Sequence, residues 1–452
     1  MNAWFHRITV HSLAIVVSLL VYVLTTRADR ERRPPSIAIA WVLGLVAVPY
    51  VGLPLYIFFG RRKLPRKFQA WTAVHPHGEH WAEDVIESFG LPGAAPVRVR
   101  MHADGREARD ALFEVMAGAR ERLDVSTYIL GDDPFGRETI ERLIARARAG
   151  VRVRLLIDGV GALYVPRRCF RQLHRGGVET AVFCPLLARK TSGPRNWRNH
   201  RKWVIADEHA LWAGGRNLAD EYFLGSPGKP PWLDLTFDLQ GDVAAAVSQQ
   251  FEADWIASNG APARPAAPHQ ACGGETRAQF LPSGPDQSED TVHALLIDAC
   301  FHAERRILAV TPYFVPDVSL ENALRLAARR GVKIDVVIPA VSNHILADFV
   351  RNRPLRALAR AGVVVHLLPG MVHAKALAFD TSLALGGSVN LDSRSLLVNY
   401  ESAVVFYGAQ EIEWTAQWIA ALIPQARPFE AKAPGLFRDL AEGLLLSVAY
   451  QL

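Results

Sequence analysis

The sequence predicts an α/β protein made of two similar halves behind a membrane-anchoring segment. From Val97 onward, stretches with the apolar spacing of helices alternate with short apolar strands. The same order starts again at Thr291, and Ala-Gly-Val introduces a strand at both Ala149 and Ala361, which indicates an internal repeat. Long uncharged runs precede the first half. We therefore expect a duplicated fold, with a mixed, largely parallel sheet in each half and helices on its faces.

The uncharged runs predict two transmembrane helices. Residues 8–26 carry no Asp, Glu, Lys or Arg, and about 20 such residues are needed to cross a bilayer. A signal peptide is the alternative, but no cleavage site of small residues follows. The second run, 36–60, contains two prolines, which a helix end or a kink tolerates. We expect residues 1–67 to form a hairpin anchor, with helices over about 8–26 and 37–59.

Basic residues near these helices predict the orientation of the anchor. In a two-helix hairpin the N-terminus and the chain after the anchor share one side of the membrane. Positively charged residues favour the cytoplasmic side. The side of the N-terminus and the main region carries six of them: Arg7, Arg61, Arg62, Lys63, Arg66 and Lys67. The loop between the two helices carries four: Arg27, Arg30, Arg32 and Arg33. The sequence therefore predicts a multi-pass membrane protein whose main region is cytoplasmic.

The alternation of helical and strand patterns also predicts the bounds of the two halves and of their linkers. We expect a linker at 68–95, a first half at 96–260, a Pro- and Gly-rich linker at 261–290, and a second half at 291–452. In the first half the pattern predicts helices over 108–122, 136–149 and 167–175 and strands over 123–130, 151–158 and 178–183. In the second half it predicts helices over 291–305, 320–330 and 355–361 and strands over 306–313, 332–339 and 363–368. From Leu436 the apolar spacing predicts one amphipathic helix, which either packs on the domain or lies on the membrane.

A short polar motif occurs once in each half. Its pattern is His-x-Lys-x4-Asp, followed by a glycine and, 17 positions after the His, by an asparagine. The copies span 200–217 and 373–390 and consist of His200, Lys202, Asp207, Gly215 and Asn217, and of His373, Lys375, Asp380, Ser388 and Asn390. Two copies with one spacing are far less expected by chance than one.

The residue types in the motif suit the chemistry of a phosphate. His and Lys are two positions apart, so both point to one face of an extended strand. An ammonium group neutralises phosphate oxygens, and an imidazole can attack or donate a proton. No further Cys or carboxylate stands at ligand spacing, so we expect no metal and no cofactor. Since ligands commonly bind between units, we expect one site shared by both motifs.

Paired His-x-Lys-x4-Asp motifs resemble those of the phospholipase D superfamily. Three further segments, 311–317, 387–395 and 399–401, resemble bacterial cardiolipin synthases, and the resemblance covers nearly the whole chain. It implies a membrane phosphatidyltransferase that joins two phosphatidylglycerol molecules into cardiolipin, releases glycerol and passes through a phosphohistidine. An anionic phospholipid is then the partner of this chain.

The resemblance also assigns roles to the motif residues. It implies that His200 is the nucleophile and His373 the general acid, with the roles exchanged in the second half-reaction; the sequence alone cannot order them. Phosphate oxygens would be contacted by Lys202, Lys375, Asn217, Asn390 and Ser388. Asp207 and Asp380 belong to the motif but are expected to hold their hairpins.

Two acidic residues are expected to orient the imidazoles. Glu401 resembles the acidic partner of His373, and Asp234 matches less closely as the partner of His200. The first copy departs from the family pattern because Gly215 stands where the second has Ser388, so one hydroxyl is lost. Several aromatic residues near the motifs line a lipid channel or belong to the core, namely Tyr128, Trp197, Trp203, Tyr313 and Phe314.

Composition bounds the alternatives. The formal charge of +6 and the isoelectric point near 9.2 suit an anionic partner, lipid or nucleic acid. A phospholipase D-type hydrolase, a nuclease and a non-catalytic scaffold are the rival functions. The uncharged runs weigh against a nuclease, so no nucleic acid is expected, and the intact motifs weigh against a scaffold. Oligomeric state, acyl-chain preference and phosphatidylethanolamine as donor stay open. The dispersed cysteines are expected to be reduced thiols, namely Cys169, Cys184, Cys272 and Cys300.

Overall fold

The computed structural model describes residues 2–29, 35–60, 62–64, 80–185, 196–226, 228–258, 260–262 and 273–448. Much of the predicted linker at 68–95 and residues 263–272 of the second linker, with Cys272, lie outside these residues. The other three cysteines are buried free thiols.

The anchor consists of three helices, α1 (Asn2–Asp29), α2 (Pro35–Ala47) and α3 (Pro49–Phe59). Among the described residues, one helical stretch is long and apolar enough to cross a membrane, Thr9–Thr26. The predicted second transmembrane helix is divided at Val48, whose φ of −140° and ψ of 64° are not helical. Pro49 explains the break, because a proline disfavours the helical conformation of the residue before it. The hairpin of two crossing helices is therefore not confirmed.

Helices α2 and α3 fold back on each other at this break. The rings of Trp41 and Tyr56 lie 5.2 Å apart, although 15 positions separate them in the chain. A Cβ atom on Gly52 would lie 2.8 Å from the carbonyl oxygen of Gly44, so two glycines allow the backbones to meet. The pair forms a tight antiparallel hairpin.

Helix α3 lies alongside α1 and runs in the same direction. The rings of His11 and Tyr50 are 5.7 Å apart, and further along both helices the hydroxyls of Thr25 and Tyr56 lie within 2.6 Å. The end of α3 therefore lies near the carboxyl end of α1.

The first half has the predicted helix–strand order with additional strands around its motif. Two of its helices begin with carboxylate caps: Asp104 accepts hydrogen bonds from the amides of Arg106 and Glu107, and Asp133 accepts one from Gly136. The elements are α4 (Trp81–Ser88), β1 (Ala95–His102), α5 (Gly105–Gly118), β2 (Arg122–Thr127), α6 (Pro134–Arg148), β3 (Arg152–Asp158), a 3-10 helix (Gly161–Tyr164), α7 (Arg167–Arg175), β4 (Glu179–Phe183), β5 (Trp203–Ala206), β6 (Ala210–Gly214), a 3-10 helix (Asp220–Tyr222), β7 (Thr236–Gly241) and α8 (Asp242–Ala257).

The second half repeats this plan. Its first strand lies within the stretch predicted as a linker, 261–290. The elements are β8 (Thr276–Ser283), α9 (Thr291–His302), β9 (Arg306–Val310), β10 (Phe314–Val315), α10 (Val318–Arg329), β11 (Lys333–Pro339), α11 (Ile345–Val350), α12 (Asn352–Arg360), β12 (Val364–Leu368), β13 (Ala376–Phe379), β14 (Leu383–Gly387), β15 (Leu391–Asp392), α13 (Ser393–Leu397), β16 (Glu401–Phe406), α14 (Ala409–Ala420), a 3-10 helix (Ile423–Gln425), β17 (Arg427–Pro428) and α15 (Leu436–Val448).

Fifteen of the seventeen described strands join into one sheet, which corrects the expectation of two largely parallel sheets; β10 and β15 form a separate parallel pair. The fifteen strands follow the order β17-β12-β11-β9-β13-β14-β16-β8-β1-β7-β6-β5-β2-β3-β4. Within this sheet, the parallel pairs are β11–β12, β11–β9, β2–β3 and β3–β4. The central strands are antiparallel because each motif enters a hairpin, β5–β6 or β13–β14, and β1 pairs with β8 across the junction of the halves.

Each motif lies at the carboxyl end of the parallel strands of its own half. Ala376, at the start of β13, pairs with Val310 at the end of β9, and Trp203, at the start of β5, pairs with Ser126 near the end of β2. We call this the motif end of each half: β2 and β3 finish there in the first half, and β9 and β11 in the second. The halves also pack face to face, with Trp203 against Phe280 and Phe237 against Phe406. The large apolar cores lie between the sheet and its helices.

Candidate active site

The residues around each motif histidine form backbone hydrogen bonds with the opposite half. The amide of His200 donates to the carbonyl of Tyr400 over 2.8 Å, and the amide of Tyr400 donates to that of Arg198 over 2.9 Å. At the related position, the amide of His373 donates to Leu233 over 2.6 Å. Both histidines thus lie in extended segments just before β5 and β13, and the junction of the halves holds them.

Each imidazole is bonded to a carboxylate of the other half, which corrects the predicted pairing. Nδ1 of His200 lies 3.0 Å from Oε1 of Glu401, and Nδ1 of His373 lies 2.8 Å from Oδ2 of Asp234. The family resemblance in the sequence predicts the opposite pairing, Glu401 with His373 and Asp234 with His200. The exchange follows from the backbone pairing at the junction. Glu401 comes directly after Tyr400, which bonds His200, and Asp234 comes directly after Leu233, which bonds His373.

The two lysines reach toward the same site. The ammonium of Lys202 donates to the carbonyl of His200 over 2.7 Å. The ammonium of Lys375 lies 2.9 Å from Nδ1 and 3.0 Å from Nε2 of His373. Both lysines are buried, at 1% and 2% exposure, so burial lowers the pKa of Lys202 to about 7 and that of Lys375 to about 8. Carboxylates of Glu401 and Asp234 oppose these shifts.

Burial also keeps the imidazoles neutral. It lowers the pKa of His373 to about 3, and the charge of Lys375 contributes to the shift. The pKa of His200 is lowered as well, mainly by burial and against the attraction of Glu401. For Glu401 and Asp234 burial acts upward, but hydrogen bonds and positive neighbours bring the pKa of each below its ordinary value. The site therefore combines two anionic carboxylates with two neutral imidazoles.

The motif asparagines and Ser388 are buried and form hydrogen bonds with neighbouring side chains. Asn217 donates to the hydroxyl of Tyr222 over 2.8 Å, and Asn390 donates to that of Ser395 over 3.1 Å. Oδ1 of Asn390 is buried and has no hydrogen-bond partner among the described residues. The hydroxyl of Ser388 donates to Oε2 of Glu401 over 2.6 Å. Ser388 thus acts on the carboxylate that holds His200.

A steric restriction explains why the first motif copy has glycine at position 215. A Cβ atom on Gly215 would lie 2.3 Å from Oδ1 of Asp234. Asp234 is one methylene shorter than Glu401, and it fits against the bare backbone at the place where Glu401 meets a serine hydroxyl. The departure from the family pattern therefore goes with the shorter acid.

The motif aspartates accept hydrogen bonds from backbone amides and do not face the imidazoles. Asp207 accepts hydrogen bonds from the amides of Arg120, Glu121 and Arg122, at 2.7 to 2.9 Å. Asp380 accepts from those of Glu304, Arg305 and Arg306 over similar distances. Both aspartates have a positive φ, 52° and 49°, in the turn of the motif hairpin. They tie each hairpin to the start of the neighbouring strand.

Sequence reasoning missed a buried ionic cluster beneath His200. The side chain of Arg201, fully buried, bonds Asp254 over 2.6 Å and Asp286 over 2.9 Å, and its Nε donates to the carbonyl of Glu401. Asn199 joins the cluster by donating to Asp254. The position of Arg201 between the motif His and Lys was the one available signal, because the aspartates lie far away in the sequence.

Aromatic rings surround the two imidazoles. Tyr128 meets His200 edge to face at 5.2 Å, and Tyr222 meets His373 in the same way at 5.0 Å. Trp232 lies 5.7 Å from His373; it and Tyr222 were not singled out from the sequence. Three of the five predicted aromatic residues are core residues, namely Trp197, Trp203 and Phe314. No cluster of three or more His, Cys, Asp or Glu side chains that could hold a metal occurs in the described part of the chain.

The chain is similar in sequence or in fold to several known proteins. The family described as "Cardiolipin synthase, PLD-like domain" matches residues 112–255 and 296–423, and "Phospholipase_D-nuclease N-terminal" matches residues 14–61. Cardiolipin synthase A of Pseudomonas aeruginosa is 30% identical over 419 residues, covering 87% of this chain and 85% of the relative. Major cardiolipin synthase ClsA of Bacillus subtilis is 29% identical over 428 residues, 88% of each chain.

A solved structure shows the same fold at lower identity. The crystal structure of phosphatidylserine synthase from Haemophilus influenzae has a TM-score of 0.64 and 14% identity, covering 82% of this chain and 99% of that one. The family match extends over more than half of the chain, and the relatives align along most of their length. The chain belongs to the bacterial cardiolipin synthases, phosphatidyltransferases of the phospholipase D superfamily.

Proposed function

We propose that this enzyme converts two phosphatidylglycerol molecules into cardiolipin and glycerol by two displacements at one phosphorus atom. The observation that carries the proposal is the pair of imidazoles at the junction, each held at Nδ1 by a carboxylate of the opposite half. That bond leaves Nε2 of each ring as the reacting atom. Lys202 and Lys375 supply positive charge for the phosphate oxygens.

In the first displacement, Nε2 of His200 attacks the phosphorus of the donor lipid. The P–O bond to the terminal glycerol breaks, and His373 as imidazolium gives its proton to the departing oxygen. Glu401 stabilises the positive charge on the phosphorylated ring through Nδ1. The assignment of His373 as the acid follows the resemblance of its motif to the family.

The acid must gain its proton as the substrate binds. In the free site the pKa of His373 is about 3, because of burial and the charge of Lys375. The negative phosphodiester raises the pKa of nearby cationic acids, since it favours their charged forms. The proton comes from solvent, so Lys375 keeps its charge for the phosphate.

In the second displacement, a hydroxyl of the second phosphatidylglycerol attacks the phosphohistidine. His373, now neutral, accepts the hydroxyl proton, and the P–N bond to His200 breaks. Cardiolipin leaves and both rings return to their starting state. Water as acceptor would give phosphatidic acid.

Product analysis tests this function. Purified enzyme is incubated in vesicles with phosphatidylglycerol labelled in the phosphatidyl group, and lipids and free glycerol are measured. Equal amounts of cardiolipin and glycerol are expected. Phosphatidic acid as the main product would establish a hydrolase, and cleavage of added DNA without lipid turnover would establish a nuclease.

We further propose that the catalytic halves are cytoplasmic and that the N-terminus lies across the membrane. Helix α2 has 13 residues, about 20 Å at 1.5 Å per residue, which is shorter than the hydrocarbon core of about 30 Å. Because α3 returns to the carboxyl end of α1, the fold supports one crossing helix and one re-entrant hairpin. Residues 27–33 and 61–67 then share one side and carry nine basic residues, against Arg7 on the other.

Cysteine labelling in intact spheroplasts tests the orientation. In a Cys272→Ser background, the variant Asn2→Cys should react with a membrane-impermeant maleimide. The matched variant Arg171→Cys, at an exposed position of α7, should react only after permeabilisation. Protection of both cysteines would support two crossing helices instead.

A further inference from the structure

The most exposed apolar side chains outside the anchor are concentrated in one region. Nine such side chains in the described residues are between 61% and 88% exposed, and six of these form what we call the apolar rim: Tyr164, Val341, Ile345, Phe437, Leu440 and Leu444. The other three are Leu163 and Leu436, next to rim residues in the chain, and Val318 at the start of α10. A soluble domain rarely leaves such side chains together in water without a partner.

Two segments of the apolar rim lie beside the candidate active site. The 3-10 helix that ends at Tyr164 follows the carboxyl end of β3, and its Gly161 packs directly on the backbone of Tyr128, the residue that meets His200. Val341 and Ile345 follow the carboxyl end of β11, which is the related position in the second half. Each segment therefore stands at the motif end of its own half.

Helix α15 supplies the rest of the apolar rim. One face packs on the domain, where Leu445 and Leu446 contact Val315 and Val350 and the buried Glu442 pairs with Arg356. The opposite face presents Phe437, Leu440 and Leu444 at helical spacing to solvent, at 88%, 61% and 73% exposure. The predicted amphipathic helix thus packs on the domain and still has a second, open apolar face.

The chain from the anchor meets the catalytic halves at the motif end of the second half. Arg62 pairs with Asp290 over 2.7 Å, the ammonium of Lys63 donates to the carbonyl of Gly284, and the amide of Leu64 donates to Pro285. Gly284 directly follows β8, whose last residue, Ser283, pairs with Glu401. The chain from the membrane is therefore tied down beside the carboxylate that holds His200.

The opposite end of the second half differs. There Phe301, near the end of α9, and Leu326, in the last turns of α10, are 52% and 46% exposed, less than any residue of the apolar rim. No basic anchor segment attaches at that end within the described residues.

We propose that the apolar rim inserts into the surface of the bilayer, so that the active site opens directly onto phospholipid headgroups. The inference rests on the proposed function, and it adds the surface through which both lipids reach the site. Covalent continuity with the anchor argues for the bilayer as the occupant. Apolar side chains of an interfacial helix bind where the hydrocarbon begins, while the polar headgroups stay level with the imidazoles.

Fluorescence quenching in vesicles tests the proposal without any turnover. In the Cys272→Ser background, full-length Ile345→Cys and Phe437→Cys carry an environment-sensitive dye, and vesicles contain lipids spin-labelled in the upper acyl chain. Both dyes should be strongly quenched. The control Phe301→Cys, on a comparably apolar surface residue, should not be. Equal quenching at all three positions, or none at Ile345 and Phe437, would overturn the proposal.

Substitutions separate this surface from the chemistry. The variant Leu440→Glu/Leu444→Glu should lower the ratio of turnover on bilayer phosphatidylglycerol to turnover on dissolved short-chain phosphatidylglycerol by at least about tenfold. Leu326→Glu should leave that ratio unchanged. An unchanged ratio in the double variant would contradict the proposal. Quenching in the inactive His200→Ala protein should match the unsubstituted enzyme, so failure of the proposed function would not hide the result.

Discussion

Oε1 of Glu401, in the second half, lies 3.0 Å from Nδ1 of His200 in the first. Asp234, in the first half, holds His373 in the same way. Neither imidazole is therefore oriented by its own half, and a single half cannot assemble either histidine–carboxylate pair. This exchange explains physically why two motifs in one chain form one site.

The exchange predicts different defects for the two acids. With phosphatidylglycerol, Glu401→Gln and Asp234→Asn should both lower kcat by about 10²–10⁴-fold, because each imidazole loses its orienting charge. With a phosphatidyl ester of p-nitrophenol, which leaves without protonation, Asp234→Asn should recover rapid nitrophenol release. Glu401→Gln should stay slow, because it impairs the nucleophile. Recovery by Glu401→Gln instead would place that acid on the general-acid side.

The lowered lysine pKa values predict a loss of activity as the pH rises. Protonated Lys202 and Lys375 bind the phosphate, and their pKa values are about 7 and about 8. Each lysine is charged below its pKa and neutral above it, so kcat/KM should fall between about pH 7 and pH 9. The variant Lys202→Arg keeps its charge throughout this range. Its profile should lose the decline near pH 7, and a decline that is unchanged in this variant would contradict the assignment.

Asp380 should matter more for stability than for catalysis. The variant Asp380→Ala leaves three backbone amides without their carboxylate, which should cost about 3 kcal/mol of unfolding free energy. Thermal unfolding measures this change, and Asp380→Asn should lose less because it keeps one acceptor and tolerates the positive φ. Turnover per folded molecule should stay within about threefold of the unsubstituted enzyme. A large loss of turnover at unchanged stability would show that Asp380 acts on the substrate.

Adding the serine that the family pattern favours should damage the site. In Gly215→Ser the new Cβ atom would displace Asp234 and with it His373, so turnover of phosphatidylglycerol should fall. Release of nitrophenol from the activated ester should be much less affected. Ser388→Ala, the matched change in the second half, should instead weaken the support of Glu401 and slow both substrates. The opposite pattern would contradict the steric account of Gly215.

The sequence predicted the local features of the fold better than its long-range ones. Helical spacing and strand patterns depend on neighbouring residues, so the order of elements in each half could be read directly. Strand pairing across the junction depends on contacts between distant residues, such as Val97 with Gly241 and Thr276, which leave no local signal. For that reason the single sheet and its antiparallel centre were not foreseen.

The site shows the same limit. His200 and His373 carried a recognisable motif, whereas the pairing of Glu401 and Asp234 was assigned by resemblance and is exchanged in the structure. Asp254, Tyr222 and other supporting residues have no motif of their own. The break at Val48 could have been read from Pro49, but its consequence, the tight return of α3 along α1, depends on packing between helices.

Trapping the covalent intermediate tests the central claim most directly. The p-nitrophenyl ester, labelled in the phosphatidyl group, is mixed with the His373→Ala variant, which can form the intermediate but lacks the base that discharges it. We expect a burst of about one nitrophenol per enzyme and label on the peptide that contains His200, with neither in His200→Ala. Absence of labelled protein from both variants, or label that persists in His200→Ala, would contradict the account.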